Sequence, residues 1–565
     1  MKSEYLLISR EFAIQNKRYF AFLTLMSFLS SFFSVSMIAF VLPVLNFIEV
    51  NGDIDTAKTY WTIIASFFNT INLEMNVYTL AILNLVIVFS FQVIDYFRLI
   101  YIQNLYPLGM KYVRQNLMTK YLLDDFLNIN SYSKSSLVTL YSMHASEYGN
   151  LFYRMFVLLF LIVQILLFTV VLSLINFSLL FLITSYILII VFVTLKRGKY
   201  ALKSGKEIAN INDQILQRVT ETINALKISK VFNYEKTLFN KSVKDSDLLL
   251  RESMNVHKNA SLITFIDTFN FIFLMSTLII SYKYFQLPLS EIVIFLFLLF
   301  RLVPILKQFN FEKIEINAKL ESALKIKRLV DENDYSTNFD YRDKINSLVK
   351  MNIKNVSFKY QNHNVLTDIT LQFEPSKHYA IKGRSGSGKS TLADLILGLY
   401  KPSKGNIEYY DDKNKLIDIS SVYKFYMSQE PFILNGTVRD NLLFGSNDDL
   451  TYTESTLNDA LRKVDLESFF IQLQGLDTII DENGANLSGG QKQRLALARL
   501  FIRHYDLIVL DEHTSAIDEV SIKIINEAIK SIRKSIIISI THDSAVMENA
   551  DVIIELKNSR VNRKV

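Results

Sequence analysis

A chain of 565 residues is too long for one compact core, so at least two domains are expected. Lys and Arg outnumber Asp and Glu by only 61 to 55, with no concentrated basic module, which argues against nucleic-acid binding. Without a single cysteine, disulfides, thiolate metal sites and cysteine nucleophiles are excluded from this sequence.

The long apolar runs crowd into the first 310 positions, whereas charges and glycines dominate the rest. A bilayer-crossing helix needs roughly 20 mainly apolar residues. Six runs read as such helices: Phe20–Ile48, Val77–Ile100, Leu151–Leu174, Ser178–Leu195, Ser261–Tyr282 and Ile292–Leu306. Met1 to Lys17 is mixed polar, and the first run is too long for a signal core and lacks a small-residue cleavage site, so it is expected to be retained.

Basic residues set the orientation. The segment from Glu49 to Asn76 carries one, Lys58, whereas 98–150 holds five and 196–259 holds thirteen. Positive loops stay inside, which puts both termini and the two long connections in the cytosol, with the chain in the cytoplasmic (inner) membrane. Both connections exceed the length of ordinary loops, and Ile211, Ile215, Val219, Ile223 and Leu226 recur at helical spacing, so the spanning helices are expected to continue into the cytosol and return. This layout resembles the exporter-type ABC membrane domain, in which each intracellular hairpin ends in a short coupling helix. The resemblance puts those tips near Ser131–Ser135 and Leu226–Tyr234.

Ionisable residues within the runs are few, and a charge in hydrocarbon is costly. Arg98 and Arg154 are expected to snorkel to the interface, and Asp267 and Arg301 are candidates for lining a substrate cavity. Pro43 and Pro304 are expected to bend their helices.

From about Lys350 the texture becomes that of an α/β domain, preceded by the charged stretch Lys313–Arg342. The chain is thus divided into a membrane domain at 1–320, a linker at 321–347 and a nucleotide domain at 348–565. Gly383, Arg384, Ser385, Gly386, Ser387, Gly388, Lys389, Ser390 and Thr391 form a phosphate loop, with a strand before them and a helix after them. Glycines let backbone N–H groups converge on phosphate oxygens at the positive end of that helix. Lys389 is placed to neutralise the β/γ-phosphates of ATP, and Ser390 to ligate Mg²⁺. Downstream, Leu507 to Glu512 reads as a buried strand ending in two carboxylates. Asp511 is the candidate to hold Mg²⁺, and Glu512 the candidate general base.

Leu487-Ser488-Gly489-Gly490-Gln491 matches the ABC signature and lies between the phosphate loop and that strand, where the family places it. The whole chain resembles an exporter-type ABC half-transporter: an all-α transmembrane domain of six long helices fused to an α/β P-loop NTPase domain. That resemblance implies that Ser488, Gly489, Gly490 and Gln491 face the nucleotide on a second copy. It also implies that Tyr360 stacks on adenine and that Gln429 contacts Mg²⁺ and water. His542 is then the switch histidine, and Asp518 belongs to the D-loop. Asp481 to Gly484 resembles the segment that touches coupling helices across the dimer. His513 stands where the family usually has Ala and is read as a surface-tolerated substitution without a catalytic role; Thr541 is a second small departure.

A complete set of ATPase residues in one chain favours a homodimer with two equal sites. Phe40-Val41-Leu42-Pro43 and Phe300 to Pro304 look similar to segments of bacterial flippases for lipid-linked oligosaccharides, which makes that the preferred amphiphilic substrate. Peptides and multidrug-type amphiphiles are the alternative. A soluble-type ABC ATPase is disfavoured by the six runs.

Overall fold

The computed structural model describes residues 14, 16–41, 44, 47, 59–70, 72–130, 132–175, 177–285, 289–330, 347–360, 363–446 and 452–564. Pro43 lies outside them, as does the side chain of Asp267. The chain forms two compact units, Met1–Asp124 with Asn130–Thr337, and Asn338–Val565 with Asp125–Ile129.

The described elements of the first unit are helical. They are α1 (Lys17–Ala39), α2 (Thr59–Thr70), α3 (Val77–Gln103), α4 (Leu105–Leu123), α5 (Phe126–Asn130, which groups with the second unit), α6 (Lys134–Thr139), α7 (Ala145–Ile175), α8 (Phe177–Asn224), α9 (Leu226–Val231), α10 (Glu235–Phe285) and α11 (Leu289–Val330). Among the described residues, three stretches are long and apolar enough to cross a membrane: Lys17–Met37, Val77–Leu123 and Lys134–Val171. The runs expected at Ser178–Leu195, Ser261–Tyr282 and Ile292–Leu306 fall on α8, α10 and α11, where many side chains are outside the described set. The spanning helices do continue past the apolar runs, since α8 and α10 reach 48 and 51 residues.

Local chemistry fixes where these helices start. Asn76 caps α3 by accepting from the Thr79 N–H at 2.9 Å, and the Thr79 hydroxyl accepts from the Asn76 N–H at 3.0 Å. Ser133 caps α6 by accepting from the Ser136 N–H at 3.2 Å. That cap corrects the first expected tip. Ser133 caps the returning helix, which starts at Lys134, and the short helix is α5, at Phe126–Asn130. The second short helix, α9, falls within the expected Leu226–Tyr234. Two features were not anticipated: α2, in a stretch whose charges suggested a loop, and a π-helical turn at Leu140–His144.

Arg98 and Arg154 do not snorkel. Arg98 is 6% exposed, bonds Asp95 at 2.7 Å and lies 3.8 Å from the Phe160 ring centroid. The same Asp95 accepts from the Ser30 hydroxyl at 2.8 Å, so α1 and α3 share one buried polar pair. Arg154 on α7 reaches Glu312 at 2.8 Å and Glu315 at 3.3 Å on α11. Below them, Lys319 meets Glu147 at 2.5 Å, and Asp213 on α8 is shared by Lys325 at 2.5 Å and His144 at 2.9 Å. Burying a charge is tolerable when its partner lies beside it, which is why these groups pair between helices.

The second unit holds two main sheets. Strands β1 (Lys350–Tyr360), β2 (His363–Phe373), β4 (Lys404–Tyr410) and β5 (Leu416–Ile417) form an antiparallel sheet in the order β2-β1-β4-β5. The larger sheet uses β3 (Lys377–Lys382), β6 (Lys424–Met427), β9 (Leu507–Asp511), β10 (Ile536–Ile540), β11 (Val552–Lys557) and β12 (Arg560–Lys564), in the order β12-β11-β3-β10-β9-β6. A small ribbon pairs β7 (Gly436–Thr437) with β8 (Ile479–Ile480). The centre is parallel, and only β12 runs antiparallel to its neighbour. Every residue of β9 and β10 is buried, as expected of central parallel strands covered on both faces.

Close helix contact in the first unit depends on Gly205, where an added Cβ would run into the Ala318 carbonyl of α11. Gly205→Leu is therefore expected to push α8 from α11 at a cost of about 1–3 kcal/mol or more. Lower yield of monodisperse protein and a melting point several degrees down would show it; parental behaviour would remove the contact from the bundle's requirements.

Candidate functional site

The phosphate loop joins β3 to a helix α12 (Lys389–Ile396). Gly386 and Gly388 have φ of +78° and +95°, a backbone that a side chain would strain. Lys389 is buried, and its ammonium bonds the loop's own carbonyls, Gly383 O at 2.6 Å and Arg384 O at 3.3 Å. Ser387 Oγ is buried without a hydrogen-bond partner. An orphaned hydroxyl, a lysine spending its protons on its own turn and a helix start pointing at both are the donor set of an anion site, and they fit a phosphate.

One hydrogen bond joins this loop to the end of β9, and a second joins the segment after β6 to the residue that follows β9. The Ser390 hydroxyl donates to Asp511 Oδ2 at 3.1 Å, and the Gln429 amide donates to Glu512 Oε2 at 2.7 Å. Burial raises the Asp511 pKa, the adjacent Glu512 charge adds to it, and the Ser390 bond and Lys389 oppose it. Asp394, one turn along α12, is pushed up to about 6 by burial and by the Asp511 charge. Crowded carboxylates beside a serine hydroxyl are oxygen donors that a divalent cation would relieve, so Ser390, Gln429 and Asp511 fit Mg²⁺.

The signature lies elsewhere on the surface. Ser488 caps a helix α13 (Gly489–Ala498), accepting from the Gln491 N–H at 3.2 Å, while the Gln491 side chain accepts from the Ser488 N–H at 2.9 Å. Ser488 and Gly489 are exposed, and Ser488's bonds go to Gln491, not to the phosphate loop. Asp518 caps a helix α14 (Glu519–Lys530) and has its pKa lowered by the Ser521 N–H and hydroxyl. Tyr360 is 36% exposed, edge-on to Tyr400 with centroids 5.8 Å apart. His542 is exposed beyond β10. Arg301 is exposed in the first unit, 5.9 Å from the Phe91 ring centroid.

Three residues were not singled out by the sequence reading. Asp394 is one. Gln493 is another: it donates to Ser515 Oγ at 2.9 Å and accepts from the Ala516 N–H at 3.0 Å, tying the signature helix to the segment before Asp518. Arg499 is the third, binding Asn441 O at 2.6 Å and Phe432 O at 2.9 Å and so anchoring the stretch that follows Gln429. His513 requires a correction. It is fully buried, not a surface substitution, because the turn that follows β9 folds back into the unit.

Residues 366–515 match the family model described as ABC transporter. The chain is 30% identical over 382 residues to a putative export ATP-binding/permease protein of Rickettsia typhi, covering 65% of each. It is 35% identical over 220 residues to an ATP-dependent lipid A-core flippase of Pasteurella multocida, covering 38% of each. The chain spans just under two thirds of the length of the first of these, 65%. Its fold matches a bacterial Atm1-family ABC exporter solved with ATP bound, at a TM-score of 0.80 and 18% identity over 97% of this chain and 95% of that one. The C-terminal unit is an ABC transporter domain. With the helical unit ahead of it, the chain has the architecture of an exporter-type ABC half-transporter.

The Asp394 shift has a sign that can be checked. An acid with a pKa near 6 when folded and ~3.9 when unfolded favours the fold while protonated, so stability falls as pH rises from ~4 to ~6 and the penalty is full above that. In magnesium-free buffer, Asp394→Asn should raise the melting point by a few degrees at pH ~7.5 and hardly at all at pH ~4. Equal shifts at both would place the Asp394 carboxyl in water.

Proposed function

We propose that this chain is half of an ATP-driven exporter in the cytoplasmic (inner) membrane, with both termini cytosolic. It pairs with a second copy of itself and moves an amphiphile outward, a lipid-linked oligosaccharide being the preferred class. The observation that supports this most is the pair of bonds from Ser390 to Asp511 and from Gln429 to Glu512, which gathers a hydroxyl, an amide and two carboxylates at the mouth of the phosphate loop.

On this reading the ATP phosphates lie along Gly383, Arg384, Ser385, Gly386, Ser387, Gly388, Lys389, Ser390 and Thr391, with Tyr360 against adenine. Lys389 exchanges its bonds to Gly383 and Arg384 for phosphate oxygens. Glu512, oriented by Gln429, takes the proton of the attacking water, and His542 bonds the γ-phosphate. Mg²⁺, held by Ser390, Gln429 and Asp511, supplies positive charge against the phosphates. Ser488, Gly489, Gly490, Gln491 and Asp518 of a second copy close the site, since among the described residues these groups make no bond to the phosphate loop of their own chain. ATP thereby favours the closed pair, and hydrolysis resets it. Asp267 and Arg301 are the proposed contacts for the substrate headgroup. The Pasteurella multocida relative is named for flipping lipid A-core, which supports a lipid-linked cargo.

Glu512→Gln should still bind ATP, lose hydrolysis by roughly 10²-fold or more and accumulate as a closed dimer. Near-normal turnover would remove Glu512 from the role of base. For the cargo, ATPase stimulation in lipid discs should be stronger with polyprenyl-linked glycans than with peptides; stimulation by peptides alone would reject the lipid-linked choice.

A further inference from the structure

The hydrolytic scheme leaves one buried side chain beside the reacting groups without a task. His513 directly follows Glu512, is 0% exposed, and neither of its ring nitrogens has a hydrogen-bond partner. Nearby polar groups are committed elsewhere. His378 Nε2 is bonded to the Ser539 hydroxyl at 2.8 Å. Asp543 accepts from the Thr514 hydroxyl through Oδ2 and from the Ala545 N–H through Oδ1, both at 2.9 Å. What remains for it to contribute is volume.

The position gives that volume leverage. Glu512 has φ of +46°, a conformation rarely adopted by a residue with a side chain. Its N–H is tied to the Ile540 carbonyl at 2.9 Å, at the end of β10, two residues before His542. The ring is therefore buried where the turn carrying Glu512 and the turn carrying His542 leave adjacent parallel strands. The Gln429 amide on the Glu512 carboxylate, the Ser515 N–H on the Glu512 carbonyl at 3.2 Å, the Thr514 hydroxyl on Asp543 and Gln493 on Ser515 and Ala516 tie the turn from outside, and the His513 ring fills it from within.

We propose that His513 is a positioning residue of the hydrolytic site, acting by shape: packed under the Glu512 turn, it holds the Glu512 carboxylate against Gln429. The proposal rests on Glu512 being the base, and goes beyond it in assigning a second residue whose nitrogens do no chemistry.

The test uses the full chain in lipid discs, measuring kcat, KM for ATP and thermal unfolding for His513→Ala, His513→Leu and Glu512→Gln. With the ring removed, kcat should fall about 10-fold while KM stays within about 2-fold, because a small misplacement of a reacting group costs rate and not ground-state binding. Leu restores the volume without the nitrogens, so it should keep kcat within about 2-fold and melt no lower than the parent. Unchanged kcat in the Ala variant overturns the proposal, as does a Leu variant as slow as Ala, which would give the nitrogens the work. So does a kcat loss that merely tracks unfolded protein. Should Ala fail to fold, His513→Val takes its place with the same expectations. Full turnover in Glu512→Gln would sink the base assignment instead, whatever the His513 variants do.

Discussion

Two carboxylates stand at the end of a strand without one exposed residue, and their repulsion organises what surrounds them. Asp511 and Glu512 cannot both be stable there as bare charges. The fold answers with a serine hydroxyl on one and a glutamine amide on the other, and each donor comes from a different element: Ser390 from the start of α12 and Gln429 from the end of β6. Because β6, β9 and the loop before α12 are fixed by sheet order, the electrostatic need at one strand end also sets the spacing of the others. Lys389 is close enough to lower the Asp511 pKa, yet its own bonds run to the loop carbonyls. The raised Asp511 and Asp394 carboxyls thus lack a full positive partner, which a divalent cation would supply.

In the helical unit the same constraint appears between helices. Arg98 with Asp95, Arg154 with Glu312 and Glu315, and Asp213 with Lys325 and His144 each close a charge against a neighbouring turn or helix. Snorkelling would have solvated one charge at a time. Pairing solves two and also fixes which faces of α7, α8 and α11 meet, alongside the glycine contact between α8 and α11.

The sequence was most legible where function is written in consecutive residues. The phosphate loop, the strand to Asp511 and the capped signature helix depend on local backbone preference, and motif and flanks agree. Legibility ended where a residue's surroundings come from distant chain. His513 reads as a surface change because nothing within a few residues reveals that the rest of the unit buries it completely. Gln493 and Arg499 look like ordinary helix residues until their partners, 22 and 58 or more positions away, are in place. The helix α2 was missed for a different reason: a helix of twelve residues, five of them polar, falls short of a span, and the acidic residues around it suggested a loop. Ser133 misled because it is a cap, and a cap begins a helix where a tip would end one.

Ser488 shows why one residue can serve both fold and proposed chemistry. As N-cap its oxygen only accepts, from the Gln491 N–H. A hydroxyl carries one proton as well as lone pairs, so capping leaves that proton free to point outward. Asp would cap the helix as well, but would present negative charge to a phosphate. Ala would present nothing and lose the cap. Asn can cap and donate, but through a longer, planar group that lifts the donor away from the helix start. A hydroxyl combines a cap made with lone pairs and a donor at the positive end of the helix, which in the proposed pair is where a γ-phosphate held by the other copy would gain most. The helix thus keeps its start whether or not that phosphate is present, and closing the site requires no local refolding of the signature.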